Sequence, residues 1–284
     1  MLLAQLFNGL NASALYLMMA LGLVIIFGHM QVVNLAHGEL IMIGAYVAYY
    51  LFTFLGMPVY LSMFFAFLVT AALGFIIEKV LIKRIYGKIS ETLLATYGLS
   101  LILQQAVRAI SGSELKYVGM PFEGSFSLGK AVIPFYNVFV AITALFMLLC
   151  TWILFYKTPF GKKMRAITQN RVMTECLGID TSRTDTWTFA YGAGLAGLAG
   201  AVLAPIRGVS PAMGAQYLTD AFLTVVVGGV NSLIGTLSGS LMIGESISLL
   251  GIVGNEVNAK ILVFIIIIII IRFKPEGLFS SERR

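Results

Sequence analysis

Charge is what this sequence has least of. Asp, Glu, Lys and Arg supply 11% of its 284 residues, against about a quarter in an ordinary soluble domain. No Lys or Arg precedes Lys79, so the N-terminus lacks the basic stretch of a secretory signal peptide and is not read as one. Cysteine is confined to Cys150, in a hydrophobic run, and Cys176, in a basic loop. That excludes a disulfide framework and a paired-cysteine metal site. Histidine is confined to His29 and His37, with no HExxH, which leaves no metallohydrolase signature. A hydrolytic pair of His37 with Glu39 is disfavoured, because side chains two apart diverge by ~200° on a helix.

Apolar residues take up the space that charge leaves. They make up 59% of the chain, and mean hydropathy is +0.93. Apolar segments run Leu6–Gly28, Gly38–Phe54, Pro58–Ile82, Thr92–Ile110, Val138–Tyr156, Trp187–Ala204, Tyr217–Val230, Leu233–Val253 and Asn258–Phe273. A bilayer span needs ~20 predominantly apolar residues, and a backbone in lipid must satisfy its polar groups internally. The reading is an all-α polytopic membrane protein, one transmembrane domain over 1–284 with about eight to nine hydrophobic segments. Gly38–Phe54 and Tyr217–Val230 are short for spans. The Ile-rich run from Phe264 to Ile271 is uniformly apolar, as a helix facing lipid on most sides would be.

Basic residues set the orientation. Lys79, Lys83, Arg84 and Lys88 follow the third segment; Lys157, Lys162, Lys163, Arg165, Arg171 and Arg183 follow the fifth; Arg272, Lys274, Arg283 and Arg284 follow the last. With an external N-terminus and nine crossings all three clusters fall on the cytoplasmic side. Arg108, Lys116, Lys130, Arg207 and Lys260 fall outside or near outer ends. The net charge of +6 then reflects membrane topology and contact with lipid, not nucleic-acid binding.

Two interruptions break the apolar pattern. "QVVNLAHGEL", Gln31 to Leu40, places Asn34, His37 and Glu39 between a long and a short segment. "APIRGVSPAMGAQYLTD", closing on Asp220, stands in the same place in Trp187–Val230. Five segments separate the two starts, so the copies would point in opposite directions. Inverted repeats with broken helices in matching positions mark midplane transport sites, although residue identity between these copies is poor. Glu39 and Asp220 are each read as caps for the short helix that follows or as groups touching solute. Glu78 is assigned to the cytoplasmic interface, and Glu245 to a buried interhelical hydrogen bond or a functional role. "YGAGLAGLAGAVLA" and the GxxxG of "GTLSG" offer small faces for close helix packing within the bundle.

Lys157 to Asp185 is longer than a connection requires, as functional loops tend to be. Pro159 and Gly161 open helix there and Gly178 ends it. The pattern fits one amphipathic helix or two short ones broken near Gln169 and Asn170. The loop suits either anionic lipid or a cytoplasmic partner. "GSFSLGKA", Gly124 to Ala131, is an accidental P-loop near-match: Ala131 replaces the Mg²⁺-binding hydroxyl.

Four collinear motifs extend the reading over essentially the whole chain: "NLAHGELIMIGAY", "RAITQNRVMTECLGID", "LTVVVGGVNSLIGTLSGSL" and "RFKPEGLF". They resemble permease subunits of the branched-chain amino acid and urea group of ATP-binding-cassette importers. The resemblance implies a permease in a bacterial plasma (inner) membrane, with no cofactor or catalytic residue of its own. It also implies a second homologous permease, two ATPase subunits that hold ATP and Mg²⁺, and a periplasmic or extracellular solute-binding protein. Lys157 to Asp185 would hold the coupling helix, with Gly161, Arg165, Ala166, Asn170 and Gly178 in the family's positions. "ATYGLSLILQQAVR", "RAITQNRVMTECLGI" and "NAKILVF" are similar to the urea-type first permease, so urea is the expected solute and a branched-chain amino acid the alternative. A urea path wants neutral groups such as Asn34, Thr92, Thr96, Gln104, Gln105 and Gln216. His37, Glu39 and Asp220 are the ionisable candidates beside it. An amino acid zwitterion would favour paired charges. A passive urea channel is disfavoured by the loop suited to ATPase docking.

Overall fold

The computed structural model describes residues 2–128, 131–230, 232–252, 255–274 and 277–278. Lys130, Arg283 and Arg284, and parts of "GSFSLGKA" and "RFKPEGLF", lie outside the described residues. Eleven α-helices run through the described residues: α1 Leu2–Met30, α2 His37–Leu55, α3 Val59–Val80, α4 Ile89–Ser111, α5 Phe135–Lys157, α6 Pro159–Gln169, α7 Arg171–Cys176, α8 Thr181–Arg207, α9 Met213–Gly228, α10 Leu233–Leu250 and α11 Glu256–Phe273. All nine expected segments are helices. Among the described residues α1, α2, α3, α4, α5, α8 and α10 are long and apolar enough to cross a membrane. α9, at 16 residues, extends ~24 Å, short of the ~30 Å hydrocarbon core. One small element was not expected from the sequence, an antiparallel hairpin of β1 Ser125–Leu128 and β2 Ala131–Pro134. Its first strand and the start of its second fall within the P-loop near-match.

Contacts fix which ends lie together. His29, at the end of α1, meets Asp185 near the start of α8. Glu78, at the end of α3, accepts from Thr186 of α8 at 2.5 Å. Ser248 of α10 reaches back to the Gln5 carbonyl at the start of α1, 2.6 Å away. Lys79 to Lys88, the α6–α7 segment and the end of α11 accordingly gather at one end, the basic end. The ends of α4 and α8 and the start of α11, with Arg108, Arg207 and Lys260, gather at the other.

The two units are inverted copies in their packing. α1 packs on α10 as α8 packs on α3, and α1 meets α9 as α8 meets α2. Small residues make these approaches possible. A Cβ on Gly192 of α8 would strike α1, one on Gly197 would strike Thr70 of α3, and one on Gly200 would strike the Ile41 carbonyl of α2. Gly228 and Gly235 exclude each other's Cβ between α9 and α10, so the small-residue stretches serve packing within the bundle. Among the described residues α11 buries Ala259, Val263 and Ile267, spaced one turn apart, and exposes Ile261, Leu262, Ile265, Ile266, Ile268 and Ile269.

Candidate solute pathway and coupling site

The first break is short and deep. α1 stops at Met30, and after six intervening residues His37 opens α2. The His37 ring lies with Nε2 3.0 Å from the Met19 carbonyl, so Nε2 is the protonated nitrogen and donates. Met19 precedes the end of α1 by eleven residues, ~16 Å along a helix. α2 therefore begins about halfway into a ~30 Å core. The intervening backbone is held by side chains. Asn34 Oδ1 accepts from the Ala36 amide at 3.0 Å, and Thr96 Oγ1 of α4 accepts from the Leu35 amide at 3.1 Å.

The second break meets the first. It spans 208–212, shorter than the interruption expected from sequence. Helix continues through Pro205 to Arg207, and α9 is under way from Met213. A proline this close to the C-terminal end of a helix costs only one of its last hydrogen bonds. A backbone bridge between Lys116 and Val209 anchors the break, with N···O distances of 2.9 and 2.8 Å. α9 then starts against the start of α2: a Cβ on Gly38 would strike the Gly214 carbonyl, and one on Gly214 would strike the Glu39 carboxyl. Two helix N-termini, each a partial positive charge, thus converge beside one carboxyl group.

Neither acidic residue caps its helix. The N-cap positions of α2 and α9 are Ala36 and Ala212, without side-chain hydrogen bonds. Glu39 Oε1 instead accepts from Ser100 of α4 at 3.1 Å, which leaves its carboxyl group in the first turn of α2. Asp220 lies seven residues into α9, too far to reach the first amides, and pairs with Lys260 of α11 at 2.7 and 2.9 Å. Glu78 is 1% exposed, held within the fold rather than at an open interface. Glu245 fills the space that Gly9 leaves, and its Oε2 is buried without a hydrogen-bond partner among the described residues; the interhelical hydrogen bond expected for it is not found there.

The candidate pathway residues fall into two groups and one outlier. Asn34, His37, Glu39, Thr92 and Thr96 cluster at the first break, all nearly fully buried. Thr92 gives its hydroxyl to Lys88 O at 2.5 Å, within its own helix. Asn34 Nδ2, His37 Nδ1 and Glu39 Oε2 are buried with no hydrogen-bond partner among the described residues. Gln216 and Asp220 line a cavity of about 610 Å³ at the other end of the bundle, between α1, α8, α9, α10 and α11. Met19 lines it too, so the cavity extends down to the helix turn that holds His37. Gln104 stands eight residues beyond Thr96 on α4, ~12 Å along the helix. Asn8, Asn11 and Lys260 also line the cavity. Sequence reasoning passed over them because nothing local links the starts of α1 and α11.

At the basic end the loop is two short helices, the second of the two open readings. Thr158 caps α6, accepting from Gly161 N at 3.2 Å and donating to Leu154 O at 2.5 Å, with Pro159 in the first turn. Gly161 has no room for a Cβ against the Leu154 and Phe155 carbonyls. Arg165 donates to the Phe155 carbonyl and lies over the Tyr156 ring, 5.2 Å from its centroid. Asn170 breaks the pair: its amide donates to Ala166 O, and its Oδ1 accepts from Met173 N to cap α7, both at 3.0 Å. Gly178 follows α7 at φ 78°, a left-handed conformation that glycine adopts without strain.

A buried network ties this pair to the bundle. His29 lies 3.1 Å from Thr168 of α6 and 3.0 Å from Asp185 of α8. Arg171 of α7 bonds the other Asp185 oxygen at 2.6 Å and Thr181 at 3.2 Å, and sits 4.5 Å from the centre of the Tyr86 ring. Burial opposes the charge on Arg171, but the bond and charge of Asp185, with help from Tyr86, outweigh it and hold the guanidinium above its ordinary pKa. Burial pushes the Tyr86 hydroxyl up. Asp185 is 1% exposed, yet from sequence it only marked the end of a loop. Val172, Met173 and Leu177 are exposed on and just after α7.

Comparison with known proteins agrees with this geometry. The family described as "Branched-chain amino acid transport system / permease component" matches residues 5–271. The high-affinity branched-chain amino acid permease BraD of Pseudomonas aeruginosa is 30% identical, over 98% of this chain and 95% of its own. LivH of Escherichia coli is 28% identical over the same shares, and a probable LivH of Methanocaldococcus jannaschii is 31% identical over 95% and 90%. These relatives are transport permeases, not enzymes. No solved structure matches. This multi-pass membrane chain belongs to the branched-chain amino acid transport system permease family.

Proposed function

We propose that the chain is a membrane-spanning subunit of an ATP-driven importer of branched-chain amino acids, the solute in the names of its full-length relatives. It would work beside a second permease, two ATPase subunits and a solute-binding protein. The observation that supports coupling to an ATPase is the α6–α7 pair. It exposes Val172, Met173 and Leu177 at the basic end, where apolar side chains outside lipid call for a protein partner. We place that end in the cytoplasm and the start of α1 outside, following the basic residues. Closure of the ATPase subunits would push α6 and α7, and the network at Asp185 would pass the push to α1 and α8. The solute would cross beside the paired breaks, where Asn34, His37 and Glu39 keep unpartnered polar atoms.

Urea is the second reading. The neutral amides Asn8, Asn11 and Gln216 at the cavity and the urea-type stretches of α4 and α6–α7 favour it. Uptake of labelled leucine and labelled urea by cells expressing the whole operon separates the two. Leucine uptake without urea uptake is the expected result. Urea uptake alone would overturn the amino acid assignment in favour of the second reading.

A further inference from the structure

The cavity between α1 and α11 contains something its walls do not require. Asp220 is 5% exposed and its partner Lys260 27% at the side chain, and the two lie 2.7 Å apart. Such a pair is weak evidence of stabilisation, because two well-packed apolar residues usually serve the fold as well. Its place beside an open space of about 610 Å³ is the size that small-molecule sites occupy, roughly 300–1,000 Å³. The lining is divided. Leu15, Met19, Leu203 and Ile247 form an apolar wall, and Asn11, Gln216 and Arg207 stand with the charged pair. Asn11 Oδ1 is buried with no hydrogen-bond partner among the described residues, an acceptor that an incoming N–H would satisfy.

We propose that this cavity is a binding site for an aliphatic α-amino acid zwitterion, which enters by exchanging its own two charges for those of the Asp220–Lys260 pair. The inference rests on the amino acid reading above. Lys260 takes the solute carboxylate, Asp220 and Asn11 take its ammonium group, and the branched side chain lies on the apolar wall. No proton or electron moves, and the summed charge of site and solute is unchanged. A solute lacking either charge leaves Lys260 or Asp220 unpaired inside the bundle, a costly arrangement. The pair therefore selects for the zwitterion, not for cations or anions of similar shape. With Met19 at the cavity and His37 bonded to it, the cavity that holds the solute reaches the start of α2.

The test measures binding of labelled leucine to the purified permease–ATPase complex without its binding protein, which would impose its own selectivity. The double variant Asp220→Asn with Lys260→Met removes the two charges together, so neither member of the pair is left without the other, and Arg207 stays in place at the cavity. It should assemble in normal yield and bind leucine at least tenfold more weakly. Leucine methyl ester and 4-methylpentanoate, each missing one charge, should compete poorly with leucine at the parent site. Unchanged leucine binding by the double variant would overturn this inference and leave the importer reading intact. Urea competing better than leucine would overturn the zwitterion class. A parent complex whose cells import no leucine would instead overturn the amino acid reading on which the site depends.

Discussion

His29 Nε2 and Asp185 Oδ1 lie 3.0 Å apart, joining the end of the first helix to the start of the eighth across 156 residues of sequence. The same carboxylate holds Arg171 of α7 through its other oxygen at 2.6 Å. α1 leads directly into the first break and α8 into the second, so any displacement of α7 is felt at both. Asp185→Asn removes the charge that fixes both partners, and breaking a buried pair of this kind costs ~3–5 kcal/mol. The variant should still insert and assemble, melt at a lower temperature, and hydrolyse ATP with at least tenfold less solute moved per ATP. Uptake per ATP equal to that of the parent would exclude this joint as the transmitter.

The meeting of Gly38 with Gly214 is equally specific. A Cβ at either position runs into backbone or carboxyl atoms of the facing helix, and neither backbone can yield without opening the junction. Gly38→Val should destabilise by more than the ~1–3 kcal/mol of ordinary overpacking, read as lost monodisperse protein after heating in detergent. Gly98 is the control: nothing lies within 4 Å of a Cβ there. Gly98→Ala in the middle of α4 should be neutral or stabilise by up to ~1 kcal/mol.

Much of this architecture was legible in the sequence because a bilayer forces it. Nine apolar segments became nine helices, since lipid leaves the backbone no other partner. The two breaks were visible as polar residues amid oil, and helix in the 157–185 loop as Pro159 and Gly178, with one helix or two left open around Asn170. The junction of Gly38 with Gly214 was not visible, because it depends on how two distant units dock. Asp220 looked like a cap because it follows the Gly/Pro stretch; helix propagating from Met213 moved it into the interior of α9, where Lys260 of α11 reaches it. The network around Asp185 draws on α1, α6, α7, α8 and the loop before α4, and no spacing along the chain encodes such a meeting.

Arg165 pins α6 to the end of α5 through the Phe155 carbonyl and the Tyr156 ring. Arg165→Glu replaces that donor with a carboxylate facing a carbonyl oxygen, which repels it. The α6–α7 pair should swing free, and ATPase subunits should co-purify at a small fraction of the normal ratio. Solute capture by the separate binding protein should be unchanged. Normal ATPase stoichiometry together with normal transport would remove Arg165 from the coupling role.

The orientation has a direct chemical probe in Cys176. It is exposed at the end of α7, at the basic end, whereas Cys150 is only partly exposed within α5. A membrane-impermeant maleimide should leave Cys176 unlabelled in intact cells and label it fully in inside-out vesicles. Cys150→Ser should not alter that result, because its thiol sits within a spanning helix. Labelling of Cys176 from outside intact cells would invert the topology. The exposed Val172, Met173 and Leu177 would then face away from any cytoplasmic ATPase, and with them the coupling role of α6 and α7 would fall.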